Sequence, residues 1–216
     1  MNKIFKESVI WAIMAMPFIY LTTVWTSLPA DVPTHFGLNG EANGWMSKPV
    51  FVVFLIGLIV GLYLVFLLVP KFDPKKKIEQ MGEKYFSLRL VFSLFFSAIA
   101  CINIYFAQQG RLDNPQILVG LMGLLFAIIG NYSQAIRPNY YLGFRTPWTL
   151  QSETVWKATH LYCGRVWVIL GLITILIAFL VKDNLTVFVA LMVMVALLVI
   201  IPYIYSYRIF RKDIKN

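Results

Sequence analysis

Six stretches of this 216-residue chain are apolar almost throughout, at about residues 8–28, 50–70, 86–107, 115–136, 160–181 and 185–206. A helix of roughly 20 apolar residues is long enough to cross the hydrocarbon core of a bilayer. In hydrocarbon the backbone must satisfy its own hydrogen bonds, which leaves helices or closed barrels. Barrel strands would read as alternating segments of about ten residues, unlike these solid runs. The expectation is an all-α integral membrane protein built as a six-transmembrane-helix bundle. Composition agrees, with 59% hydrophobic and 13% charged residues against about 45–50% and about 25% in soluble domains. That leaves no room for a separate soluble domain. The first run is longer than the apolar core of a signal peptide and has no A-x-A-like site before Pro29, so it reads as a retained helix. Two halves are expected. Residues 1–110 contain a 29–48 loop, and residues 111–216 contain a polar loop at 137–159.

Cationic residues orient such a chain, because lysine and arginine accumulate on the cytoplasmic side. With the N-terminus inside, 16 of the 19 lysines and arginines fall in inner segments; only Lys48, Arg111 and Lys182 fall outside. Both termini are therefore expected in the cytoplasm, and the 29–48 loop outside. The net charge of +9 is then the signature of this asymmetry, with attraction to anionic lipid headgroups, and implies no direct nucleic-acid binding. The KKK run at 75–77 reads first as a solvated juxtamembrane loop and second as a lipid or protein contact.

The outer loop SLPADVPTHFGLNGEANGWMSK, residues 27–48, is dense in turn formers. Pro29 and Pro33 favour extended backbone before themselves. Asn39-Gly40 suits a tight type I′ turn with positive φ at both residues. A compact extracellular cap with a short hairpin follows, shaped by Pro33, His35, Asn39, Gly40 and Glu41.

The most polar and aromatic stretch between two spans is YYLGFRTPWTLQSETVWK, residues 140–157. Pro138 and Pro147 interrupt any helix there, and Ser152 is a natural N-cap for the next one. Glu153 and Lys157 stand four apart, in the favourable order for a helical ion pair. Trp156, His160, Cys163 and Trp167 recur on one helical face. Arg145 either snorkels toward phosphates or, held between Gly143 and Pro147, offers its fork to a carboxylate, a backbone carbonyl or a phosphate. Asn131 either makes an interhelical hydrogen bond or floors a pocket shared with Gln134 and His160. Asn103 has the same two readings.

The two histidines, His35 and His160, fall on opposite sides of the expected topology, so no metal site is expected and no cofactor is implied. No nucleophile elbow, HExxH or P-loop is present. No acidic residue falls inside the six runs, which weighs against proton-coupled transport. Cys101 and Cys163 read as small apolar residues in helices.

The stretch GNYSQAIRPNYYLGFRTPWTLQSETVWKATH, residues 130–160, resembles the signature of the SdpI family of bacterial immunity membrane proteins, most specifically in G-F-R-T-P-W-T-L followed by E-T-V-W-K. The outer LPADVPTHFGLNGEANGW looks like the small membrane domain of unknown function often found at that family's N-terminus. The resemblance implies a protein of the bacterial cell membrane that gives resistance to a secreted toxic peptide on the extracellular side. It also implies a signal receptor that sequesters a cytoplasmic repressor, and it implies no enzymatic activity. On that reading Arg145, Pro147, Trp148, Glu153, Trp156 and Lys157 form an inner functional surface, supported by Asn131 and Asn139. Arg145 anchors an acceptor, and Trp148 and Trp156 pack at headgroup level. Two rivals stand beside it. A small transporter or exporter predicts a polar cavity running from Asn103 or Asn131 to one face. A membrane enzyme predicts His160 and Glu153 converging on one pocket.

Overall fold

The computed structural model describes residues 2–74 and 76–214. Lys75 and Lys215, both counted above, lie outside the described residues. The elements run α1 (Lys3–Val24), β1 (Asp31–Phe36), β2 (Ala42–Ser47), α2 (Lys48–Phe72), a one-turn 3-10 helix (Glu79–Met81), α3 (Glu83–Gln109), α4 (Gln116–Ser133), α5 (Pro147–Gln151), α6 (Glu153–Leu180) and α7 (Asn184–Asp213). Among the described residues every α-helix but the five-residue α5 is long and apolar enough to cross a membrane, giving six such helices. Large apolar side chains such as Phe179, Leu180 and Val199 stand exposed on them. Water would penalise that surface, but lipid does not.

Local capping chemistry sets the helix ends, which apolar runs only approximate. Asn2 caps α1, its side chain accepting from the Ile4 N–H at 3.2 Å, so the helix begins about five residues earlier than its apolar run. Ser152 caps α6 through the Val155 N–H at 3.3 Å, which brings Glu153 and Lys157 into the helix. Asp183 caps α7 through the Thr186 N–H at 2.8 Å.

The chain forms two compact units, one of Met1–Leu67 with Arg89–Leu118, the other of Leu68–Leu88 with Val119–Asn216. In the first unit the early start of α1 brings in an acidic residue that lies just outside the 8–28 run. Glu7 lies within α1, where both its oxygens accept from Arg89 of α3, at 2.7 and 2.8 Å. The Tyr63 hydroxyl donates to Glu7 at 2.8 Å, and the Arg89 guanidinium lies 5.3 Å from the Tyr63 ring centroid. Arg89 is thus part of a largely buried, bidentate pair rather than a loop cation. Such a fork-to-fork geometry is what makes two charges tolerable inside protein.

The expected hairpin is present in the same unit. β1 and β2 pair antiparallel from Asp31↔Ser47 to Phe36↔Ala42, with irregularities around His35. Its tip differs from the expected type I′ turn. Gly40 alone of the pair has positive φ, at 78°, and Asn39 uses its side chain instead, accepting the Glu41 N–H at 3.1 Å. An Asx side chain that bonds the backbone two residues on stabilises such a turn without left-handed backbone. Gly40 is required for a second reason: a Cβ there would come within 2.5 Å of the Leu112 carbonyl oxygen. The Gly40 carbonyl accepts from Leu112 N–H at 2.8 Å, so the hairpin tip is tied to the α3–α4 connection.

In the second unit α4 and α6 cross through glycines. A Cβ on Gly123 or Gly130 would fall 2.7 Å from the carbonyl oxygen of Gly171 or Gly164 respectively. The pairs repeat seven residues apart on both helices, which keeps one seam in contact, and small residues let backbones approach where no hydrophobic effect drives helices together. The Ser133 hydroxyl, also at this seam, donates within 2.8 Å of the His160 carbonyl. α6 and α7 pack through Tyr162 stacked on Tyr205 at 4.2 Å and the Trp167 indole N–H donating to the Leu198 carbonyl at 3.2 Å.

Candidate functional site

The polar loop of the second unit, between α4 and α6, is braced from within by three hubs. Asn139 is the first. Its amide donates to the carbonyls of Arg137 and Leu142, and its Oδ1 accepts from the N–H groups of Tyr141 and Leu142, at 2.7 to 3.2 Å. Only 3% of it is exposed, so all its hydrogen-bonding capacity is spent on folding its own loop.

His160 is the second hub. Its Nε2 accepts from the Phe144 N–H at 2.9 Å, and its Nδ1 lies 2.9 Å from the Trp156 carbonyl. The first contact requires a bare Nε2 and the second a protonated Nδ1, so the ring is the neutral Nδ1–H tautomer. Trp156 stacks on it at 4.1 Å and donates its indole N–H to the Ile136 carbonyl at 2.8 Å. Gly143, at φ 97°, passes so close that a Cβ would lie 2.3 Å from Nε2. The T-P-W-T segment is the third hub. Thr146 and Thr149 form a reciprocal capping box around Pro147, the Thr149 hydroxyl reaches the Phe144 carbonyl at 2.7 Å, and Thr146 donates to Ser206 of α7 at 2.9 Å.

The inner-surface residues of the sequence reading divide into two groups. Glu153, Trp156 and Lys157 line one cavity of 840 Å³ together with Gln134, Arg137 and His160. Glu153 and Lys157 form the expected i,i+4 pair at 3.0 Å, well exposed. Arg145 lines a different cavity, of 660 Å³, with Tyr140, Phe144, Trp167 and Tyr203. Its Nη1 donates to the Tyr140 carbonyl at 2.7 Å, the backbone option among its three expected acceptors. Leu150 of α5 contributes to both cavities.

Trp148 packs between Tyr203 and Tyr207 of α7, each ring centroid 4.9 Å away. Trp156 is 1% exposed, so it is a buried brace rather than a ring at headgroup level. Pro147 opens α5 on an exposed turn. Asn131 is exposed on α4 and lines neither cavity, unlike Gln134 and His160. Asn103 bonds the Ile99 carbonyl of its own helix at 2.8 Å.

The hairpin residues sit together in the first unit. Pro33 is buried, His35 bonds Asn43 through Nδ1, and Asn39 donates to the Glu41 carboxylate at 2.8 Å. Glu41 also bridges to Arg111 by backbone pairing. Among the described residues no three His, Cys, Asp or Glu side chains gather as a metal site would require. Sequence reasoning missed Thr146, Thr149, Ser206 and Glu7. The T-x-x-T spacing around a proline was a readable cap signal; Ser206 and Glu7 carry no local signal, since their partners lie 60 and 82 residues away.

Fold and loop together define a multi-pass helical membrane protein. Residues 135–206, from the braced loop onward, match the SdpI/YfhL protein family, and residues 12–60, which take in the hairpin, match a Domain of unknown function (DUF1648). Along 203 residues, 93% of each chain, it is 26% identical to Immunity protein SdpI of Bacillus subtilis (strain 168). It is a multi-pass protein of the bacterial membrane. No solved structure matches it.

Proposed function

We propose that this protein gives its cell immunity to a secreted toxic peptide, with both termini in the cytoplasm, the hairpin outside and the braced loop inside. The observation that carries the reading is the similarity to an immunity protein along 93% of the chain, which spans both the hairpin and the loop. The hairpin offers exposed Trp45 and Leu38 beside its ordered tip, a surface for a peptide. The inner loop would present Arg145, Glu153 and Lys157 to a cytoplasmic repressor. The two halves, 1–110 and 111–216, would then divide the work into sensing and relay.

Both rivals lose ground on particular side chains. His160 and Glu153 do line one cavity, as an enzyme would want. Yet both ring nitrogens of His160 face backbone partners, and a base needs a free lone pair. Neither Asn103 nor Asn131 lines the two large cavities, which weakens the transporter reading.

The test is survival. The protein is expressed in a peptide-sensitive strain lacking its own immunity protein and exposed to the toxic peptides secreted by Bacillus subtilis. Protection is expected, and Arg145→Ala should reduce it at unchanged membrane abundance. No protection at normal abundance contradicts the proposal; a fully active Arg145→Ala contradicts the inner-loop part of it.

A further inference from the structure

The 840 Å³ cavity of the second unit has a charge pattern of which the immunity reading uses only Glu153 and Lys157. Four cations line it, from four separate segments: Lys77 before the 3-10 helix, Lys84 in the first turn of α3, Arg137 just after α4, and Lys157 in α6. One carboxylate, Glu153, accompanies them, and it is already paired with Lys157. Arg137 donates to Gln80 at 2.8 Å through one nitrogen of its fork, leaving further donors. Among the described residues the Lys77 and Lys84 side chains make no hydrogen bond or ion pair, although the charge of Lys77 is felt by Glu153. Four cations around a single carboxylate leave the cavity net positive, and such an excess raises the local concentration of anions.

The remaining lining narrows the class of anion. Leu150 and Leu161 border the same cavity and are 43% and 42% exposed, so an apolar path leads from the cationic pocket to the surface of the unit. A ligand matching both features has a charged head and a hydrocarbon tail. Lysine and arginine together suit a phosphate, which offers several acceptor oxygens to a point charge and a fork at once. We infer that this cavity is a phosphate-binding site, filled by the headgroup of an anionic phospholipid or, second, by free phosphate. The site asks nothing of a toxin, and it shares only Glu153 and Lys157 with the surface that the immunity proposal offers to a repressor.

The full chain, purified in a neutral detergent, is tested by native mass spectrometry with phosphatidylglycerol and phosphatidylcholine. Phosphatidylglycerol should be retained about tenfold better, the effect of about 1.4 kcal/mol. The K77Q/K84Q variant should lose that preference. R208Q/K212Q, which removes equal charge from the end of α7 outside the cavity, should keep it. Stripping of the lipid by millimolar inorganic phosphate upholds the site and assigns the free ion as its source. Equal retention of the two lipids without any effect of phosphate overturns the inference. Equal loss in both variants overturns it too, because the binding is then general surface charge. Should the double variant melt below the parent, K84Q alone, on an exposed first turn, reads the same preference and must lower it by about threefold.

Discussion

At the scale of single residues the chain spends polar groups on holding backbone. Gly143 shows how tightly. Its positive φ and the 2.3 Å approach to His160 Nε2 exclude any side chain, so Gly143→Ala must break the Phe144-to-His160 hydrogen bond or move the loop. We expect a loss of about 2–3 kcal/mol, from strain plus an unpaired buried donor, measured by thermal unfolding in detergent. Unchanged stability would mean that the loop is not pinned as described. Glu7 is the second case. Glu7→Gln leaves Arg89 without its charge partner, and breaking such a pair costs about 3–5 kcal/mol. Glu7→Gln/Arg89→Met should recover most of that loss, since well-packed apolar replacements of buried pairs are often neutral. A double variant no better than the single one would show that the pair does more than neutralise itself.

At the scale of elements, periodicity was legible and boundaries were not. Six apolar runs announced six helices, because hydrophobic length is a local property. The beginnings of α1 and α6 were set by Asn2 and Ser152, single capping residues; the Ser152 cap and the Glu153–Lys157 pair behind it were readable, and the Asn2 cap was not. For the same reason Glu7 escaped notice, lying just before the first apolar run yet inside the helix. The hairpin was legible from its turn formers, but the turn type was not, because the tip is decided by Leu112 approaching Gly40 from another connection. The α4–α6 crossing belongs to this scale as well. Gly171→Ala would place a Cβ 2.5 Å from the Gly123 carbonyl oxygen. Overpacking of that kind costs about 1–3 kcal/mol, and thermal unfolding should show it, while Gly57→Ala, with open space around its Cβ, should be neutral.

At the scale of the whole molecule, the residues of the candidate site were legible and their grouping was not. Arg145, Glu153, Trp156 and Lys157 are unusual between two membrane helices, so composition alone singles them out. Their division between two cavities depends on where α5 docks, and that is fixed by Thr146 on Ser206 and Ser152 on Asp213, 60 and 61 residues apart. The immunity proposal places the hairpin and this loop on opposite sides of the membrane, and sidedness is therefore its foundation. The measurement is labelling of intact cells with a membrane-impermeant maleimide, using Leu38→Cys and Thr154→Cys in separate chains whose Cys101 and Cys163 are replaced by serine. The account predicts that the cysteine at 38 is labelled in intact cells and the one at 154 only after the membrane is opened. Labelling of both positions in intact cells would contradict it.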